Sequence, residues 1–130
     1  MRCVVLLRAV TVPASPPPPE LMAAIAALGE EATNAGVLLD TQGLQPSAAG
    51  TRVTLAGGQL SAVDGPFTEA RELISYAIYD VRTIEDAVEW TNRFLKVHRD
   101  SWPGWEGEAD VLRVFSPEDF PASGESSATA

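Results

Sequence analysis

Apolar and polar positions change their period several times along this chain, and each change marks an element. Arg2-Cys3-Val4-Val5-Leu6-Leu7-Arg8 is continuously apolar between two arginines, as in a strand buried on both faces. Pro13 and the run Pro16 to Pro19 form a stiff, extended spacer. A helix follows over Pro19–Asn34: proline suits its first turn, and Glu20 sits where the helix dipole favours an anion. Leu21, Ile25, Leu28 and Ala32 fall on one stripe, and Gly36 stops the helix. Val37 to Thr41 reads as a strand, and Gly43 to Gly50 as a loop. Thr51–Leu55 and Gln59–Val63 alternate around Gly57-Gly58, a hairpin signal. Asp64-Gly65-Pro66-Phe67 is a turn, Thr68 to Arg71 one helical turn, and Leu73–Tyr79 a strand with two apolar faces. Thr83 caps a second helix whose stripe is Ile84, Ala87, Val88, Thr91, Phe94 and Leu95, with Trp90 at its margin and an end near His98. After the loop Ser101–Gly107, Ala109 to Phe115 is the last strand.

Strand, helix, strand, hairpin, strand, helix, strand is an α+β order. Without the hairpin it is the ferredoxin-like β-α-β-β-α-β arrangement. Two helices cover one face of such a sheet, yet the first strand and Leu73–Tyr79 are apolar on both. A second copy of the chain is the economical cover, so a homodimer is expected. Residues 1–116 read as one domain and residues 117–130, polar and small, as a flexible tail.

Composition narrows the functional classes. The 130 residues carry 9 basic and 18 acidic side chains, a net charge of −9, which argues against nucleic acid and anionic membrane surfaces. The single cysteine excludes an internal disulfide framework, and with a single histidine it leaves no His/Cys metal cluster, so neither metal nor cofactor is expected. Cys3 itself reads as an inert core thiol. No apolar run reaches the ~20 residues of a membrane helix, and Cys3–Leu7 is too short for the ~7–15 of a signal-peptide core. The expectation is a cytoplasmic protein.

Several blocks carry a resemblance. Asp64-Gly65-Pro66-Phe67 with Thr68-Glu69-Ala70-Arg71-Glu72-Leu73 resembles the signature of DGPF-domain proteins, a branch of the YCII-related family. Ala35-Gly36-Val37-Leu38-Leu39, Glu85 to Trp90 and Trp102 to Glu108 extend it over nearly the whole chain. The resemblance implies a ferredoxin-like fold paired sheet to sheet, a dimeric α+β barrel. It implies little about activity: some relatives are thought to use an Asp–His pair in a pocket, and many DGPF-type proteins are encoded beside extracytoplasmic-function sigma factors. Related sequences often read Gly-Glu-Gly-Leu-His-Pro-Ser after the second strand. This chain has Gln42 in place of the acid and Gln45 in place of the imidazole, and neither amide moves a proton near neutral pH.

The candidate site residues follow. Asp64, where a strand gives way to a Gly-Pro turn, is the candidate catalytic acid or base; the competing reading is an acceptor that fixes its own turn. Gln42, Gln45 and Ser47 are expected to form a polar pocket wall, with Phe67, Tyr76, Trp102 and Trp105 as ligand-binding aromatics. The Trp102–Trp105 loop reads equally as a lid on a partner subunit. Tyr76 and Tyr79 point to opposite faces of their strand. His98 reads as an exposed residue at a helix end, where an imidazole meets the dipole's negative pole, more than as a base. Two functions compete: a small-molecule pocket protein, with a cofactor-independent lyase or isomerase as its enzymatic form, and a non-catalytic sensing or interaction module in a sigma-factor pathway.

Overall fold

The first strand shows how the sheet is built. In the computed structural model, which describes residues 1–10, 16–67 and 71–120, β1 (Arg2–Ala9) buries Cys3, Val5, Leu7 and Ala9 and leaves Val4, Leu6 and Arg8 half-buried on the other side. It pairs antiparallel with β5 (Glu72–Asp80) on one side and β6 (Gly107–Arg113) on the other. β2 (Leu38–Gly43) joins the free edge of β5, also antiparallel. The order is β2-β5-β1-β6. Each helix therefore links two strands that have a third between them.

α1 (Pro19–Asn34) forms as its sequence dictates, with Pro19 in the first turn and Leu21, Leu28 and Ala32 buried. Gly36, at φ 76°, ends it. The Val37 and Gly36 amides donate to the Ala32 and Thr33 carbonyls, closing a Schellman motif that a residue with a Cβ would strain. α2 (Ile84–Ser101) starts where Thr83 Oγ1 accepts from the Asp86 amide at 3.2 Å. It runs three residues beyond His98. Its buried stripe is Ala87, Thr91 and His98, with Phe94 half-buried. Ile84 and Val88, expected on that stripe, are exposed. The helix is rotated so that small residues, Ala87 and Thr91, meet the sheet closely. Arg93 bridges to Glu31 at 2.7 Å and ties α2 to α1.

Cys3, Val5, Tyr79, Val81 and Ala87 form the centre of the core, with Leu38, Trp90 and Val111 packed around it. Cys3 is fully buried, and burial pushes its thiol up. Paired residues share a face, so Ala77, Ala109 and Val111 join Val5 and Leu7 under the helices. Val4, Leu6, Tyr76, Ile78 and Leu112 lie on the opposite, helix-free face. The last strand is two residues earlier than the alternation suggests, because Gly107, not Ala109, opposes Ala9.

The hairpin is a separate two-stranded sheet of β3 (Thr51–Ala56) and β4 (Gln59–Asp64). Gly57 and Gly58 both take positive φ, as a two-residue primed turn demands. Every residue of both strands is exposed. Beyond β6, Pro117–Asp119 forms a 3-10 turn capped by Ser116, and Arg113 pairs with Asp119 at 3.3 Å. The expected tail boundary at Pro117 therefore falls inside a tied-down turn. Residues 121–130, the expected helical turn at 68–70 and the spacer proline at 13 lie outside the described residues. Among the described residues, no helix is long and apolar enough to cross a membrane.

Candidate functional site

Two cavities flank the sheet, one on each face. The larger lies between the helices and the sheet, with a volume of about 480 Å³ and walls from Leu21, Ile25, Ile74, Phe94, Trp102 and Trp105. Gln42, Thr41 and Ser75 are among its polar walls, and His98 is the only titratable side chain that lines it among the described residues. A volume in the range of roughly 300–1,000 Å³, mostly apolar walls and a few polar groups are what small-molecule sites share.

The sequence around His98 explains the imidazole's pose. Position 98 continues the stripe of Ala87, Thr91 and Phe94 at steps of three and four, so the helix turns the ring inward. Its Nδ1 lies 2.8 Å from the Phe94 carbonyl. A carbonyl only accepts, so Nδ1 carries the proton and Nε2 is left as an acceptor. Desolvation pushes the imidazole below its ordinary value of 6.5, outweighing the Phe94 hydrogen bond, so the ring is neutral at pH 7. Phe94 meets it edge-on at 4.7 Å between centroids, and Trp105 lies tilted against it at 4.5 Å.

Trp105 owes its position to glycine. After α2 ends, the Trp102 amide donates to the His98 carbonyl and the Trp105 amide to the Trp102 carbonyl. Gly104, at φ 86°, lets the chain reverse. The indole then lies directly over Gly107, where a Cβ would collide with the ring and with the Arg8 carbonyl. A buried neutral imidazole between aromatic rings can accept a hydrogen bond from a ligand, or take a proton from one, where water is largely excluded.

The second cavity, about 430 Å³, lies on the helix-free side at the root of the hairpin and is lined by Arg8, Gln45, Ser47, Arg52, Phe67 and Glu72 among others. Ser47 organises it. Its Oγ accepts from the Phe67 amide at 3.0 Å and donates to Glu72 Oε2 at 3.1 Å, while its own amide donates to Glu72 Oε1. Gly65 passes so close to the Ser47 carbonyl that a Cβ there would overlap it. Arg52 stacks on the Phe67 ring at 4.2 Å. These contacts join the loop after β2, the turn after β4 and the start of β5. Arg8 and Arg71, which also reach this cavity, pair with Asp110 and Glu108 of β6.

The expected site residues are thus divided. Trp102 and Trp105 reach the cavity under the helices, and Gln45, Ser47 and Phe67 reach the other; Gln42 borders the first but pairs with Tyr76, on the helix-free face. The single pocket wall of Gln42, Gln45 and Ser47 is not formed, because Gln42 does not line the cavity that Gln45 and Ser47 share. Tyr76 donates its hydroxyl to Asp40 at 2.7 Å on the helix-free face, and Tyr79 is in the core. Asp64 lines neither cavity; its carboxylate accepts from Thr51 Oγ1 at 3.0 Å across the open end of the hairpin. His98, read as exposed, is 4% exposed. The missed signal is its helical spacing from Thr91 and Phe94. Glu72 and Arg8 had no local signal, since their partners are far along the chain.

Among the described residues, no group of three or more His, Cys, Asp or Glu side chains stands where it could hold a metal ion. No protein-family model matches this chain, and no curated protein matches it.

Proposed function

We propose that this chain is a YCII-related protein of the DGPF type with a ferredoxin-like fold, and that it binds a small, largely apolar molecule in the cavity under α2. The observation that carries the reading is His98: a buried, neutral imidazole whose Nδ1 is held by Phe94 and whose ring is flanked by Trp105 inside an apolar cavity of about 480 Å³. The ligand class follows from these walls. A planar or apolar body stacks on the indoles, and one hydroxyl or N–H group donates to Nε2. Thr41 and Ser75, on the helix-covered face of the sheet, supply further polar contacts, orienting but not titrating.

As an enzyme, the protein would be a cofactor-independent isomerase or lyase working with one base. His98 Nε2 would take a proton from the ligand and return it at another atom, while the tryptophans keep water away. The reading gives this role to His98 and not to Asp64, whose carboxylate is engaged by Thr51. A second reading, a non-catalytic ligand sensor, is supported by the same cavity: among the described residues it offers no second titratable group to complete an acid–base pair.

The reading also includes a homodimer. Val4, Leu6, Tyr76, Ile78 and Leu112 share a face that carries no helix among the described residues, and pairing two such faces about a two-fold axis covers both. A ligand screen by thermal shift and native mass spectrometry tests the pocket. Ligands that stabilise the native chain are expected to bind at least tenfold more weakly to His98→Gln and Trp105→Ala. Ligands that bind both variants as well as the native chain would overturn the assignment, and turnover of a bound ligand would separate enzyme from sensor.

A further inference from the structure

The exposed large apolar side chains concentrate in two places. Four are on the hairpin, Val53, Leu55, Leu60 and Val63, each 61–75% exposed. Three close β6 and its continuation: Leu112, Val114 and Phe115. In the hairpin, paired residues share a face, so Val53, Ala62, Leu55 and Leu60 form one apolar side, while Arg52, Thr54, Ser61 and Gln59 fall on the other together with Ala56 and Val63. Among the described residues, this arm makes at most marginal contact with any other strand or helix. A two-stranded sheet alone is marginal in water, and its free edges invite pairing unless charges or prolines blunt them. Val53 to Val63 contains neither, in a chain of net charge −9.

We propose that the arm clasps a second copy of this chain, laying its Val53–Leu55–Leu60–Ala62 side on the partner's Leu112–Phe115 segment. The inference rests on the homodimer reading above and adds what the arm does in it. The arm is rooted at the Arg8 end of the sheet, where Gly50, Arg52 and Phe67 share a cavity with Arg8 and Leu73. The β6 cluster is at the opposite, Arg2 end: Leu112 opposes Val4, and the Val114 amide donates to the Arg2 carbonyl. A two-fold axis lying between the sheets and perpendicular to the strands exchanges these ends. It sets each arm beside the partner's exposed cluster, and the contact is made twice.

Area and charge favour a second copy as the occupant. At roughly 60–120 Å² per large apolar side chain, the six apart from Val63, which faces away beside Arg52, hold on the order of 300 Å² per copy, or about 600 Å² in the pair. The paired sheet faces supply the remainder of the ~1,200–2,000 Å² that a stable complex buries. Two copies that repel through their net charge meet most easily where charge is sparse, as on the Val53–Leu55–Leu60–Ala62 side of the arm.

Cysteine pairing tests the placement. Cys3 is buried and stays in place. A Leu60→Cys chain mixed with a Phe115→Cys chain and oxidised is expected to give a covalent dimer that neither chain gives alone. The double variant Leu55→Ser/Leu60→Ser is expected to keep its circular dichroism spectrum and raise the dimer dissociation constant at least tenfold. A native dimer without the mixed cross-link overturns the arm's placement and leaves sheet pairing standing. Cross-linking by Leu60→Cys alone, to the same extent as in the mixture, overturns it in favour of arm-to-arm contact. A native mass of 13.8 kDa at micromolar concentration overturns both readings and leaves the arm to a different protein.

Discussion

β1 and the hairpin are made of similar material and meet opposite fates. Both carry large apolar residues along a strand, without interruption in β1 and at alternate positions in the hairpin. In β1, Cys3, Val5 and Leu7 are 0–4% exposed; in the hairpin, Val53, Leu55 and Leu60 are 69–75% exposed. The difference is not in propensity, since both segments form antiparallel ladders. It lies in what arrives on top. β1 sits between β5 and β6 with two helices over one face, whereas nothing among the described residues follows the hairpin back across it. Alternation therefore identifies a face that needs covering without saying which part of which chain supplies the cover.

Matched truncations break the comparison most sharply. Leu7→Ala is expected to destabilise by ~2–5 kcal/mol, because the surrounding core cannot collapse fully into the space. Leu60→Ala in the arm should stay within about 0.5 kcal/mol for the isolated fold. Urea unfolding of both, at concentrations low enough to exclude association, measures the contrast; equal losses would mean that the arm is packed within its own chain.

Gly107→Ala is the next largest. Its Cβ meets the Trp105 ring and the Arg8 carbonyl, so either the strand pairing or the indole must give way. A loss of about 1–3 kcal/mol is expected, with weaker binding in the cavity under α2. The shift of tryptophan fluorescence toward longer wavelength reports the displaced ring, and an unshifted spectrum contradicts this geometry.

His98 adds a pH signature that the exposed arm cannot have. Its folded-state value lies below its ordinary 6.5, because burial disfavours the charged ring. The unfolded chain therefore binds the proton more readily, and His98's contribution falls as pH drops from about 7 through 6.5 toward the folded value. The stability difference between the native chain and His98→Gln should shrink over that range. A difference that is constant from pH 7.5 to 5 would show that the ring is solvated.

Asp64→Ala is expected to have a small effect. The bond from Thr51 is exposed, so its loss should cost about 0.5–1 kcal/mol and fray the hairpin's open end without touching ligand binding. Binding or turnover abolished in a folded Asp64→Asn variant would return this carboxylate to the site.

How far the site was legible depends on the separation of its parts. Thr83 and Asp86, or Gly57 and Gly58, are neighbours, and their cap and turn can be read from residue types alone. Position 98 was equally readable by spacing. The dipole at the helix end drew attention instead, although the helix runs three residues further. Ser47, Phe67 and Glu72 come together across 20 and 25 residues of chain, and no local pattern foretells that a serine hydroxyl will join them.

By itself the sequence determined the elements, their order and the alternate faces of each strand. Side-chain period, proline and glycine geometry and helix caps act within a few residues, so their outcome is written locally. Tertiary structure alone decided which faces found cover. The rotation of α2 exposed Ile84 and Val88 and buried His98, Gln42 was left out of the cavity that Gln45 and Ser47 line, and among the described residues the hairpin's apolar side makes at most marginal contact with another strand or helix. Each of these depends on how distant elements pack against one another, where small rotations and close approaches at Gly65 and Gly107 choose among arrangements that the local pattern leaves equal.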